Sequence, residues 1–148
     1  MKFTRGFTLV ELLVVITVIA ILLGIIIPRF KGMQQEANMS KAKAELKTLQ
    51  TAVESWNIHQ TPEAYPPSTS KLCQSYLDTA NPLIISTVLY DPFAATGNEY
   101  SYAVSPNGEY YVIWSLGPDN VSTITGVDNT GALTGTIGQN IYVSNGND

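Results

Sequence analysis

Between Phe7 and Ile27 the chain reads FTLVELLVVITVIAILLGIII, and Glu11 is the only charged residue in it. About 20 consecutive apolar residues cross the hydrocarbon core of a bilayer as a helix, so this run has transmembrane length. A secretory signal would have a shorter apolar core followed by a small-residue cleavage site. Here the bulky Ile25-Ile26-Ile27-Pro28-Arg29-Phe30 follows, so cleavage behind the run is not expected. A plain signal anchor fits the hydropathy but gives no reason for Glu11, because a carboxylate facing lipid costs about 3 kcal/mol on insertion scales. Glu11 therefore points to a role beyond anchoring.

The rest of the 148 residues suffices for one modest domain. Lys2 and Arg5 precede the apolar run, and Arg29, Lys31, Lys41, Lys43 and Lys47 follow it. Beyond Glu54 the only lysine or arginine is Lys71, set against eight carboxylates from Glu63 to Asp148. With a net charge of −4 and this acidic C-terminal part, the chain has no field that would gather nucleic-acid phosphates, and no nucleic-acid partner is expected. Cys73 stands alone, which excludes an intramolecular disulfide and leaves it the role of a small buried hydrophobe.

Past Pro28 the pattern becomes that of an amphipathic helix. Met39, Ala42, Leu46, Leu49, Val53 and Trp56 recur at alternating spacings of 3 and 4, forming one apolar stripe that needs a covering surface. The stripe is too short for a confident coiled coil, so packing on a sheet of the same chain is expected. The helix should end before Pro62, and residues 62–67 read as a surface loop. A short helix is expected at 71–78 with Leu72, Tyr76 and Leu77 inward. Strands are expected at 83–90, 100–104, 109–116 and 141–143, and Asn107-Gly108 signals a hairpin turn. Residues 117–140, rich in Gly, Thr, Asn and Asp, read as an irregular loop too long to be ordered unless something pins it. The expected fold is α+β: a long N-terminal helix on a small C-terminal antiparallel sheet. The divisions are 1–6, the segment before the apolar run; 7–29, a membrane half-helix; 30–58, the amphipathic half; and 59–148, the head.

Lys2-Phe3-Thr4-Arg5-Gly6 followed by Phe7-Thr8-Leu9-Val10-Glu11 resembles the leader and mature start of type IV pilins and of type II secretion pseudopilins. The resemblance implies a type IV pilin fold, cleavage after Gly6 by a prepilin peptidase, N-methylation of Phe7, and a glutamate at the fifth mature position, where Glu11 stands. It also implies that Glu11 of one subunit meets the Phe7 amine of its neighbour. Asp91-Pro92-Phe93, Tyr100-Ser101-Tyr102 and Ser115-Leu116-Gly117-Pro118-Asp119 resemble the major pseudopilin, with Phe93 in place of a tryptophan and Asn120 in place of a second glycine. In that branch the loop after Ser-Leu-Gly binds calcium. By this resemblance Asp119, the Leu116 carbonyl and Asp128 are the candidate Ca2+ ligands, although Asn140-Ile141 stands where Asp-Ile is usual.

Catalysis has no foothold in the sequence. His59, the sole histidine, has no nucleophile or metal-ligand spacing around it, and there is no P-loop, zinc spacing or GxSxG motif. The aromatics Tyr100, Tyr102, Tyr110, Tyr111 and Trp114 lack nearby cations and read as sheet core. The expected function is a non-enzymatic filament subunit, stored in the inner membrane with a periplasmic head. It would polymerise with itself, aided by an inner-membrane assembly platform, minor pseudopilins and a separate motor ATPase, to drive export through the outer membrane. Two alternatives stay open: a surface pilus for adhesion, motility or DNA uptake, and a membrane-anchored periplasmic binding domain that never polymerises.

Overall fold

The computed structural model describes residues 6–67 and 73–146. Helix α1 spans Leu9–His59, α2 spans Cys73–Leu77, and five strands follow: β1 Ser101–Val104, β2 Tyr111–Ser115, β3 Ile124–Val127, β4 Leu133–Gly135 and β5 Ile141–Ser144. The chain divides into two units between Glu36 and Ala37. In the first unit every residue from Phe7 to Ile27 is exposed, the large apolar ones from 46% at Val15 to 86% at Leu9, so nothing among the described residues covers them.

The second unit contains the rest of α1 and all the strands. The apolar stripe does what its period requires: Ala42, Leu46, Leu49 and Val53 are fully buried against Tyr100, Tyr102, Tyr111 and Ile113, with Trp56 at the edge. Burying one such side chain stabilises the fold by about 2 kcal/mol. The sheet has the order β1-β2-β5, antiparallel throughout, with Tyr102 opposite Ile113 and Ile113 opposite Val143. The turn at 105–110 joins β1 to β2 as the Asn-Gly pair predicts: Ser105 accepts from the Gly108 amide and donates its own to Tyr110.

Two expectations need correction. Residues 117–140 are not an irregular loop, because they contain the β3–β4 hairpin. That hairpin covers the second face of the central strand: Tyr111 and Ile113 face α1, while Val112 and Trp114 pack with Ile124 and Val127. Residues 83–90, rich in branched side chains, are not a strand. Ile84, Ile85 and Leu89 pack singly against the helix-side core, and only the bridge Tyr90–Glu99 is sheet-like. The short helix exists with Leu77 buried and Tyr76 edge-on to Trp56; Leu72 and the Cys73 side chain lie outside what the structure describes.

Buried phenols need acceptors, and α1 supplies two of them. Tyr100 donates to Glu45 Oε2 at 2.6 Å, Tyr111 to Glu54 Oε1 at 2.8 Å, and Tyr102 to the Pro66 carbonyl at 2.8 Å. Burial, reinforced by Glu45 and Glu54 respectively, pushes the Tyr100 and Tyr111 phenols far above their ordinary range. Both stay protonated in the fold at any physiological pH.

Candidate functional site

The start of α1 is built by Thr8 and Glu11. Thr8 is its N-cap: the Thr8 Oγ1 accepts the Glu11 amide at 3.2 Å, and Glu11 Oε2 accepts the Thr8 amide at 2.9 Å and the Thr8 hydroxyl at 2.8 Å. This is a reciprocal capping box, legible in the sequence as Thr-x-x-Glu although the reading above does not use it. The cap engages Oε2 of Glu11 in both bonds and leaves Oε1 out of them. Gly6 and Phe7 precede the helix in open backbone, and Phe7 is 77% exposed. A side chain at Gly6 would meet open space, so the fold itself sets no demand for glycine there. The leader residues Lys2 and Arg5 lie outside the described residues.

The region after β2 is held by two buried side chains, Asp91 and Asn140, which the sequence marks by resemblance but to which it assigns no role. Asp91 accepts the Phe93 amide and the Ser115 hydroxyl on Oδ1, and the Leu116 amide on Oδ2, which joins the Asp-Pro-Phe turn to the end of β2. Asn140 is only 7% exposed. Its Oδ1 accepts the amides of Thr123 and Ile124 and the Thr123 hydroxyl at 2.7–3.2 Å, and its Nδ2 donates to the carbonyls of Leu116 and Val121, both at 2.7 Å. Gly117 sits at φ +76° with the Gln139 carbonyl against it, so that a Cβ would collide. Here, unlike at Gly6, the fold requires glycine.

The three candidate calcium ligands do not form one donor set. Leu116 gives its carbonyl to Asn140. Asp119 is exposed, and its Oδ1 accepts the Val121 amide at 3.2 Å. Asp128 belongs to the β3–β4 turn: its Oδ1 accepts the Thr130 amide and hydroxyl and the Ala132 amide. The Thr130 hydroxyl and then its amide hold the Asp128 carboxyl below its ordinary range. The neighbouring Asn129 bonds Asn107 in the β1–β2 turn, so Asp128 lies by the end of β2 where Tyr111 is, and Leu116 follows the other end. Among the described residues no three His, Cys, Asp or Glu side chains are grouped to hold a metal. Leu116, Asp119 and Asp128 as placed do not share a calcium ion. His59 is exposed, with Nδ1 2.6 Å from the Ser55 carbonyl.

An apolar helix of membrane length, capped at its start by its own Glu11 and continuing as the amphipathic face of a small antiparallel head, defines a protein of the type IV pilin class. The prokaryotic N-terminal methylation motif matches residues 1–27, and the type II secretion system protein G family matches residues 29–131. The chain belongs to the type II secretion system protein G family. It is 31% identical over 127 residues to the type II secretion system core protein G of Escherichia coli K12, covering 78% of this chain and 82% of that one. To the core protein G of Vibrio cholerae it is 27% identical over 144 residues, covering 91% and 92%. The type IV major pilin protein PilA of Myxococcus xanthus is 48% identical, but over 52 residues, covering 35% of this chain and 24% of that one. No solved structure matches the chain.

Proposed function

We propose that this protein is the structural subunit of a type II secretion pseudopilus. A prepilin peptidase cuts it after Gly6, the new Phe7 amine is methylated, and residues 7–29 hold it in the inner membrane with its head in the periplasm. It then polymerises through α1 to drive export across the outer membrane. It works as a scaffold without chemistry of its own. The assembly platform, minor pseudopilins and motor ATPase are separate proteins.

The observation that carries this reading is the uncovered run from Phe7 to Ile27. Lipid can cover it in the stored subunit, and the same side chains of other copies can cover it in a filament. Glu11 fits both states. In the single chain the capping box satisfies Oε2, while Oε1 remains to receive the ammonium of a neighbouring Phe7 once leader removal has created it. The peptidase supplies the requirement for Gly6 that the fold does not. The surface-pilus reading has less behind it, because relatives named as a type IV pilin and a fimbrial protein align over only about a third of the chain.

Mass spectrometry of the N-terminal peptide tests the processing: the mature chain begins at a methylated Phe7, and Gly6→Ala leaves uncut precursor in the membrane. An intact Met1, or a cut beyond Ile27, would refute it. Shearing cells that overexpress the protein tests the assembly, with filaments expected that vanish when the neighbouring secretion genes are deleted. Filaments that survive that deletion and depend on surface-pilus genes would establish the second reading.

A further inference from the structure

We infer that the carboxamide of Asn140 fastens the 116–124 segment in place of a bound cation, so that the head of this protein folds independently of calcium. A cation holds a loop by drawing several oxygens to one centre. In this chain the carbonyls of Leu116 and Val121 converge at 2.7 Å on Asn140 Nδ2, whose two N–H groups carry the partial positive charge at that centre. On the other side Oδ1 takes the two amides and the hydroxyl of Thr123 and Ile124.

The orientation of the side chain is dictated by its partners, since backbone amides can only donate and carbonyls can only accept. Every hydrogen of the Asn140 amide is spent on a carbonyl, and the group is nine-tenths buried. An aspartate at this position would place a second carboxylate oxygen against the same two carbonyls. Three oxygens facing one another repel unless a cation or a proton enters between them. Residue 140 thus decides whether the loop needs metal: with asparagine it carries its own positive group, and with aspartate it must borrow one.

The test uses the full-length chain in detergent micelles, melted with millimolar CaCl2 or with chelator. Wild type should melt at the same temperature in both. Asn140→Asp should melt about 5–10 °C lower in chelator and recover much of the loss with calcium, since a ligand binding only the folded state raises its stability. Asn140→Ala should fall similarly and not recover. A terbium titration of wild type, excited through Trp114, should give no saturable luminescence; this measurement and the wild-type melts carry the test if Asn140→Asp fails to fold in chelator. A wild-type melting temperature that rises with calcium, a saturable terbium signal on wild type, or an Asn140→Asp protein as stable in chelator as wild type would each overturn the inference.

Discussion

The run from Phe7 to Ile27 and the strand Tyr111–Ser115 are both almost wholly apolar, yet the first is exposed throughout and the second is buried throughout. The difference lies in what the rest of the chain offers. Strand β2 finds α1 on one face, the β3–β4 hairpin on the other, and a hydrogen-bonded strand along each edge. The N-terminal run finds no cover among the described residues, which leaves it open to lipid or to other copies. Substitutions in the run should therefore change assembly and spare the head, while substitutions around β2 should change head stability and affect assembly only through it.

The sharpest way to break this contrast is at Glu11. Glu11→Leu should abolish sheared filaments while membrane level, leader cleavage and the melting of the head stay at wild type, because one side of a buried charge pair is lost at a cost of about 3–5 kcal/mol per added subunit. Glu11→Gln keeps an acceptor for the Thr8 cap and removes only the charge. It too should fail to assemble; filaments at wild-type yield from Glu11→Gln would reduce Glu11 to a helix cap. Next in size is the pair Leu49→Ala and Leu22→Ala. The first empties a fully buried site and should destabilise the head by about 2–5 kcal/mol in urea unfolding. The second, at a site 52% exposed, should leave the head within about 0.5 kcal/mol and register in filament yield alone. Equal urea midpoints for the two would end the distinction.

The smallest effect concerns pH. Tyr100 and Tyr111 have folded pKa values raised above the unfolded value of about 10, so their contribution is complete below pH 10 and is lost as pH climbs above it. The urea midpoint should hold steady to about pH 9 and fall beyond pH 10. Tyr111→Phe should fall less steeply, by at most about one proton's worth of slope. A Tyr111→Phe slope identical to wild type would mean that Tyr111 ionises freely in the fold.

The sequence made the N-terminal methylation motif, the α1 stripe and the β1–β2 hairpin legible because each rests on a local signal: a motif, a period, a turn pair. What it hid depends on contacts distant in the chain. The β3 strand is four residues long, contains Gly126, and has an irregular register against β4, so its composition resembles a loop. A clue was present in the unbroken apolar Tyr111-Val112-Ile113-Trp114, since a strand without alternation needs cover on both faces and α1 supplies only one. The stretch 83–90 failed in the opposite sense, because its branched residues serve as separate plugs against α1. Asn140 could not be singled out, since its five hydrogen bonds go to residues between 16 and 24 positions away. Only its contrast with the aspartate of the resembling family marked the position.

The pairing order of the sheet also sets a timetable. Strand β2 lies in the middle, but its second neighbour, β5, is the last of the described strands along the chain, and Asn145 beyond it accepts the Tyr111 amide at 2.7 Å. While the chain is still being synthesised, β2 waits with one row of backbone donors and acceptors open, a template for any passing strand. Closure comes only when residues 141–145 have been added, so a chain cut short before them keeps a sticky strand edge, and one that includes them seals its own sheet.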